Sequence, residues 1–453
     1  MTALTCDVRI SAADYATLNA HLFPGDGDEH GAVLAAGVSM TAAGPSLIVR
    51  DVFPARPGTD YVEGKIGYRA LHPSFIHQRI IACRNERLAY IAVHNHDSDR
   101  SVAFSRIDMA SHERGYPALL GIGKGVPVGA MVFGKRSAAA DIWFPNGERR
   151  QLGALNVVGL KIERLYARPQ QTEASGDIHD RQVRMFGEAG QAMLRRAKVA
   201  IVGLGGVGSL VNEYLARLGV GELVLVDPDR IEKSNLSRVV GARASDAVRG
   251  TLKTRIARRL ANEAGATKVR LIEGDVASAK VAAQLRSCDF IFLAADSMRA
   301  RLVINALVHQ YFIPAVQLGA KIRVANDERL DEAMSVVRQI RPRLGCLWCN
   351  ELIDPAQLAI EAKSDEERIA QAYGTFAPNP SVISLNAVAA AHGVNEFLFD
   401  FLGIDRGKDR APYQHFHSLR AQVRQVTPRH DLDCRECGRR YGMGDALGLP
   451  VFG

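Results

Sequence analysis

No apolar run in this 453-residue chain approaches the about 20 residues that a membrane-spanning helix requires. The opening residues MTALTCDVRI lack the basic-then-apolar order of an export signal. Both absences favour the cytoplasm. Internal repeats and long low-complexity segments are missing too. The formal charge is +8, yet Lys and Arg are dispersed and not interleaved with aromatics as in a nucleic-acid module. A solvated surface is the ordinary reading of that charge, and an acidic protein partner or a phosphorylated small molecule also fits. With 47% apolar and 23% charged residues, the chain has room for about two or three globular domains.

The clearest break is RPQQTEASGDIHD, residues 168–180, which is polar and has no apolar period. It divides an N-terminal domain, 1–167, from a C-terminal domain, 181–453. Before the break, GAVLAAGV, LAYIAVH and VGAMVFG read as strands and YRALHPSFIHQRIIACR as helical, an α+β arrangement. After it, KVAIVG, ELVLVD, VRLIEG and FIFLAAD alternate with helical patterns. That alternation predicts a Rossmann-like, doubly wound, largely parallel α/β sheet. SVISLNAVAAAHGVNEFLFDFL predicts a long buried helix.

Within the second domain, KVAIVGLGGVGS is a strand running into a glycine turn and a helix. Gly203, Gly205 and Gly208 keep the G-x-G-x-x-G spacing, with Gly206 added. Such a turn lets backbone N–H groups and a helix N-terminus approach a phosphate. Asp227, ending the next strand, lies near the distance at which a carboxylate reaches a ribose. Alone, these residues suggest a dinucleotide. The following Ser234-Asn235-Leu236-Ser237-Arg238 shifts the expectation to ATP, because Asn235, Arg238 and Lys253 can neutralise or hydrogen-bond phosphates. Asp296 closes the strand FIFLAAD and could hold Mg²⁺.

Residues 181–453 resemble the ThiF-type adenylyltransferases. The resemblance is carried by Arg181-Gln182, GLGGVGS, the pair Asp227 and Asp229, SNLSR, Lys253, and AAD at Asp296 followed by Arg301 and Asn305. It implies that Asp227 holds the ribose and that Asn235, Arg238 and Lys253 handle the phosphates. It further implies that Asp296 organises Mg²⁺ and that Arg181 reaches into the partner's site of a homodimer. The family reaction is attack of a C-terminal glycine carboxylate on the α-phosphate of ATP.

Cys346-x-x-Cys349 and Cys434-x-x-Cys437 supply four thiolates, enough for a structural Zn²⁺ site. A redox C-x-x-C is the competing reading. No cysteine lies between Cys349 and Cys434, where thioester-forming relatives place theirs. Adenylation without an enzyme thioester is therefore expected.

In the N-terminal domain, His94-Asn95-His96 follows an apolar strand, and Ser105 and Asp108 follow in turn. Two imidazoles at alternate positions of an extended segment share a side, and Asp108 from the next helix can complete a three-ligand zinc site with one position open. His415-x-His417 lacks such company and is assigned no function. The first group resembles the JAMM (JAB/MPN) metalloprotease signature. That resemblance makes His94, His96 and Asp108 the zinc ligands, Ser105 the oxyanion donor and Glu29 the general base. A metal-free relic kept for binding is the alternative.

Together the two resemblances imply an enzyme that activates the C-terminal glycine of a ubiquitin-like protein and processes or deconjugates that protein. The runner-up is activation of a sulfur-carrier protein, matured by the N-terminal domain. A conjugating enzyme or a sulfur donor would be the further partner. A non-catalytic scaffold is the third reading.

Overall fold

The computed structural model describes residues 4–62, 70–171, 176–265, 267–325, 328–363, 380–407 and 410–452. Its contacts separate two compact units. The first comprises Met1–Gln171 with Gln310–Phe312 and Arg440–Gly448; the second holds the remainder. Of the predicted linker, residues 172–175 lie outside the described set, and Asp177–His179 form a short 3-10 turn leading into helix Asp180–Arg196. The first unit thus takes in two pieces distant in sequence.

The first unit is built on an eight-stranded sheet. Its strands run in the order Thr5–Ser11, Gly44–Pro54, Gly31–Thr41, Ala89–Asn95, Val128–Gly134, Ser137–Trp143, Arg149–Val158 and Ile162–Leu165. Thr5–Ser11 also pairs with Arg149–Val158, the seventh strand in that order, so the sheet curls round on itself. One core lies inside this curl, around Leu34, Val49, Ile91, Met131 and Phe133. A second core holds helices Pro73–Glu86 and Arg106–Gly123 against the other face through Phe75, Ile80, Tyr90 and Tyr116.

The helix expected from Tyr68 begins only at Pro73. Tyr68 and Arg69 lie outside the described residues, and Ala70–Leu71 form a short strand. The reason is local. Proline disfavours the α conformation in the residue before it and is itself well suited to the first helical position. His72 is accordingly extended, and its ring accepts from the Ser74 N–H.

The second unit's sheet runs Lys268–Ile272, Glu222–Val226, Lys198–Val202, Phe290–Leu293, Ala315–Val324, Leu330–Ile340, Tyr413–His417 and Gln422–Val426. Its first five strands are parallel and the last three pairings antiparallel. Chain order therefore reverses at Lys198–Val202, which lies between the second and fourth strands of the unit. Ligands of such sheets bind at the carboxyl edge beside that reversal. Helix Ile383–Phe401, expected from its apolar run, buries Ala389, Gly393, Phe397 and Phe401 along one face. A Cβ on Gly393 would lie 2.5 Å from Leu318 Cδ2, so glycine lets this helix press onto the sheet. The Phe397 ring sits 4.9 Å from that of Phe290, edge to face. No described helix is long and apolar enough to cross a membrane.

Candidate functional site

The glycine turn occupies the reversal. Val202 ends its strand, paired with Val226 on one side and Leu293 on the other. Gly203 follows at φ +91°, a left-handed conformation that favours glycine. A Cβ there would also lie 2.6 Å from Ala295 N, at the carboxyl end of the neighbouring strand. Gly208, on the first turns of helix Gly206–Arg217, would put a Cβ 1.8 Å from Gly203 O. These two glycines are required by packing. Gly205 differs, because at φ −75° its Cβ would meet nothing within 4 Å. Its openness leaves the helix N-terminus approachable by a phosphate.

The contrast gives a matched prediction. Gly208→Ala should destabilise the protein by on the order of 2 kcal/mol or more, read as a lower thermal midpoint. Gly205→Ala should leave that midpoint unchanged while weakening ATP binding in a titration.

Asp227 ties the turn to the adjacent strand. It is 4% exposed, and its Oδ2 accepts from Leu204 N–H (2.6 Å) while its Oδ1 accepts from Asp229 N–H (2.8 Å). Burial raises its pKa, opposed by the Lys253 charge and these two N–H donors. Lys253 opens helix Lys253–Ala264, and its Nζ contacts Asp229 Oδ2 at 2.6 Å. Asn235 is buried in a 3-10 turn, where its Oδ1 accepts from Glu232 N–H (3.2 Å). Arg238 donates from Nη1 to Ser234 O (2.7 Å), and its Cδ would lie 3.5 Å from a Cβ on Gly206. Arg238 therefore lies beside the turn. Asp296 is exposed just past strand Phe290–Leu293, at the same carboxyl edge. Arg181 is exposed in the first turn of helix Asp180–Arg196.

One neighbour of the turn escaped the sequence reading. The Nδ2 of Asn386 lies 2.2 Å from where a Gly206 Cβ would stand, and it donates to Ser381 Oγ (3.1 Å). The available signal was a buried polar residue on the apolar face of helix Ile383–Phe401. Arg301 and Asn305, part of the motif pattern, face a different task. Arg301 Nη1 donates to Leu352 O (2.8 Å), and Asn305 Oδ1 accepts from Leu347 N–H (2.9 Å). They hold the segment that carries the first cysteine pair.

Four thiols meet there. Cys346 Sγ lies 3.4 Å from Cys349 Sγ and 3.9 Å from Cys434 Sγ, while Cys349 and Cys437 Sγ are 3.6 Å apart. A disulfide needs about 2.05 Å, so none of these pairs is bridged. Tetrahedral Zn²⁺ with bonds of about 2.3 Å spaces its sulfurs about 3.8 Å apart. The donor set fits that ion. Hydrogen bonds from Cys437 and the Cys349 N–H lower the pKa of the Cys346 thiol despite burial.

The first unit brings together a second set. His94 and His96 Nε2 face each other 3.2 Å apart, and Asp108 Oδ2 lies 3.6 and 3.7 Å from them. Ligand bonds of about 2.0–2.1 Å in a tetrahedron place neighbouring donors about 3.3–3.4 Å apart. These three atoms lie close to that spacing, and the residues are half-buried. Asp108 is the third residue of helix Arg106–Gly123. Ser105 caps that helix, accepting from Asp108 N–H while Asp108 Oδ2 accepts from Ser105 N–H. Glu29 Oε1 lies 3.9 Å from His96 Nε2. Burial raises the Glu29 pKa, with His94 opposing.

Glu29 is positioned by a residue that the sequence reading passed over. Asn95, buried between the two histidines, accepts on Oδ1 from His30 N–H (2.6 Å). This bond fixes the backbone next to Glu29. Pairing of Gly31 with His94 in the adjacent strands sets the register.

Residues 179–436, more than half of the chain, match the ThiF family. The chain belongs to the ThiF family. The chain is 36% identical over 152 residues to the molybdopterin-synthase adenylyltransferase of Escherichia coli (strain K12), covering 32% of this chain and 59% of that protein. It is 28% identical over 271 residues to the sulfur carrier protein adenylyltransferase of Thermus thermophilus, covering 59% of this chain and 91% of that protein. The SAMP-activating enzyme E1 of Haloferax volcanii is 35% identical over 131 residues, 29% of this chain and 48% of that protein. The chain thus spans about half to three fifths of two of these relatives. Among solved structures, E. coli MccB aligns at TM-score 0.47 and 20% identity, over 59% of this chain and 75% of that one. The ThiF match begins at residue 179, so His94, His96 and Asp108 lie outside it.

Proposed function

We propose that the ThiF region adenylates the C-terminal carboxylate of a small carrier protein with Mg-ATP. The observation that carries this reading is the glycine turn at the chain reversal, with Asp227, Arg238 and Lys253 gathered at its edge. Asp227 would accept from the ribose hydroxyls with its remaining lone pairs. The N–H groups at Gly205 and Gly206 would receive phosphate, while Arg238 and Lys253 would balance the charge that grows as pyrophosphate leaves. Asn235 would hydrogen-bond the phosphates. Asp296 would hold Mg²⁺, which would shield the phosphates from the incoming carboxylate. The carboxylate oxygen attacks the α-phosphorus, the α–β anhydride breaks, and the product is an acyl-adenylate. Arg181 would complete the neighbouring site of a homodimer.

No cysteine of this chain is suited to take the acyl group. None lies between Cys349 and Cys434; residues 364–379 and 408–409 of that interval lie outside the described residues. Cys6, Cys83 and Cys288 are 2%, 2% and 0% exposed, and burial pushes the first two thiols up to about 12. The adenylate would therefore pass to an external nucleophile. The relatives' names favour a sulfur-carrier substrate over a conjugated ubiquitin-like one, which makes a sulfur donor the natural acceptor. Mixing the chain with Mg-ATP and such a carrier should give carrier enlarged by one AMP in an intact-mass spectrum, with no carrier–enzyme adduct. An adduct removed by thiols would overturn this ordering.

For the first unit we propose a zinc metallopeptidase of JAMM type acting near the same carrier terminus. The donor spacing of His94, His96 and Asp108 supports it. Zn²⁺ bound there would supply a nucleophilic water at neutral pH. Glu29 would take the proton from that water, and Ser105 would donate to the developing oxyanion from its Oγ. The Cys346, Cys349, Cys434 and Cys437 set would hold a second, structural Zn²⁺.

A further inference from the structure

In the first unit, a basin of about 310 Å³ is lined by Arg100, Arg136, Arg164, Tyr166, Arg168 and Pro169. Four of its six lining residues are guanidinium-bearing and none is acidic. We propose that this basin binds a compact, multiply charged oxyanion of the phosphate class, such as pyrophosphate or the phosphate chain of a nucleotide. The site stands independently of either activity proposed above.

Three separate segments deliver the arginines, and backbone hydrogen bonds lock those segments together. Val102 N–H donates to Ala167 O (3.0 Å), Arg136 N–H to Asp99 O (3.0 Å) and Ala138 N–H to Tyr166 O (3.2 Å). Ser137 Oγ also donates to Asp99 O (2.9 Å). The frame therefore holds like charges close together without contribution from any ligand. Asp99 engages Arg136 through Nε at 2.7 Å and Nη2, and its charge also reaches Arg100. A concavity lined by arginines from three segments suits a compact anion with several oxygens, which arginine grips in bidentate fashion. An acidic peptide would better match an extended basic stripe. The basin also sits on the loop joining His96 to Ser105, so its occupant would brace the segment between the proposed metal ligands.

The test is calorimetric titration of the full chain with inorganic pyrophosphate, ATP, AMP and oligo-glutamate. An Arg238→Ala/Lys253→Ala background removes the contribution of the nucleotide site. Saturable pyrophosphate or ATP binding is expected, weakened about tenfold or more by Arg100→Ala/Arg168→Ala, since hydrogen bonds to charged groups are individually strong. Equal affinity for pyrophosphate and ATP would identify the free anion as sufficient, and binding of ATP alone would identify a nucleotide. An unchanged melting curve confirms that the variants fold, and single Arg168→Gln supplies a milder substitution. Absence of saturable binding to either probe, or affinity indifferent to the arginines, would overturn the proposal. Arginine-dependent binding of oligo-glutamate alone would replace it with an acidic protein partner.

Discussion

Lys253→Ala should lower carrier-dependent ATP–pyrophosphate exchange by about 10²–10³-fold, the range seen when a preorganised charge-stabilising donor is lost. Lys253 Nζ rests 2.6 Å from Asp229 Oδ2, and its charge also reaches buried Asp227. Without it, two carboxylates would face the triphosphate with a cation removed. Ground-state affinity for ATP and stabilisation of the leaving pyrophosphate should fall together. Loss of the Asp229 contact should itself cost little stability, because the Asp229 side chain is 60% exposed and can be solvated by water. Arg238→Ala should act in the same direction. Exchange within about twofold of wild type in both variants would remove these residues from the phosphate site.

Replacing both His94 and His96 with Ala should lower bound zinc from about two equivalents to about one, measured by elemental analysis of the full chain. The two donor sets make this partition readable. The histidine set is half-buried, whereas Cys346, Cys434 and Cys437 are buried. Chelators should therefore strip the first site before the second. Cys434→Ser should remove the other equivalent and lower the thermal midpoint, because those thiols join segments far apart in sequence. Adenylation should survive the histidine substitutions, and hydrolysis of a tailed carrier should not. Zinc content unchanged by the histidine pair would remove the proposed metallopeptidase centre.

Much of the second unit was legible because its signals are short-range. Strand, turn and helix at Lys198–Arg217 follow from apolar runs punctuated by glycines. What spacing could not supply was the difference among those glycines. Gly203 and Gly208 are demanded by the fold and Gly205 by open space, a distinction that exists only in three dimensions. Asn386 was hidden for a related reason, since it reaches the turn from nearly two hundred residues away. The late start of the helix at Pro73 was available in principle, because Pro73 and the preceding His72 already encoded it.

The first unit was less legible. His94-x-His96 announced a shared side, but only strand pairing with Gly31 brings Glu29 within 3.9 Å of His96. Asn95 looked like a spacer between ligands, yet it accepts the hydrogen bond that seats the Glu29 segment. The arginine basin left no local motif at all, since its residues come from positions 100, 136, 164 and 168. Pieces 310–312 and 440–448 likewise join this unit through contacts that sequence order does not reveal.

That this chain activates a protein carboxylate with ATP, forming no thioester itself, is the proposal on which the other expected results for adenylation depend. It is tested most directly by pyrophosphate exchange with one carrier protein prepared in two forms, with a free and with an amidated C-terminus. Exchange with the free form, none with the amidated form, and no thiol-labile enzyme adduct is the expected result. Exchange that ignores the state of the carrier's terminus, or that requires a cysteine of this chain, would contradict it.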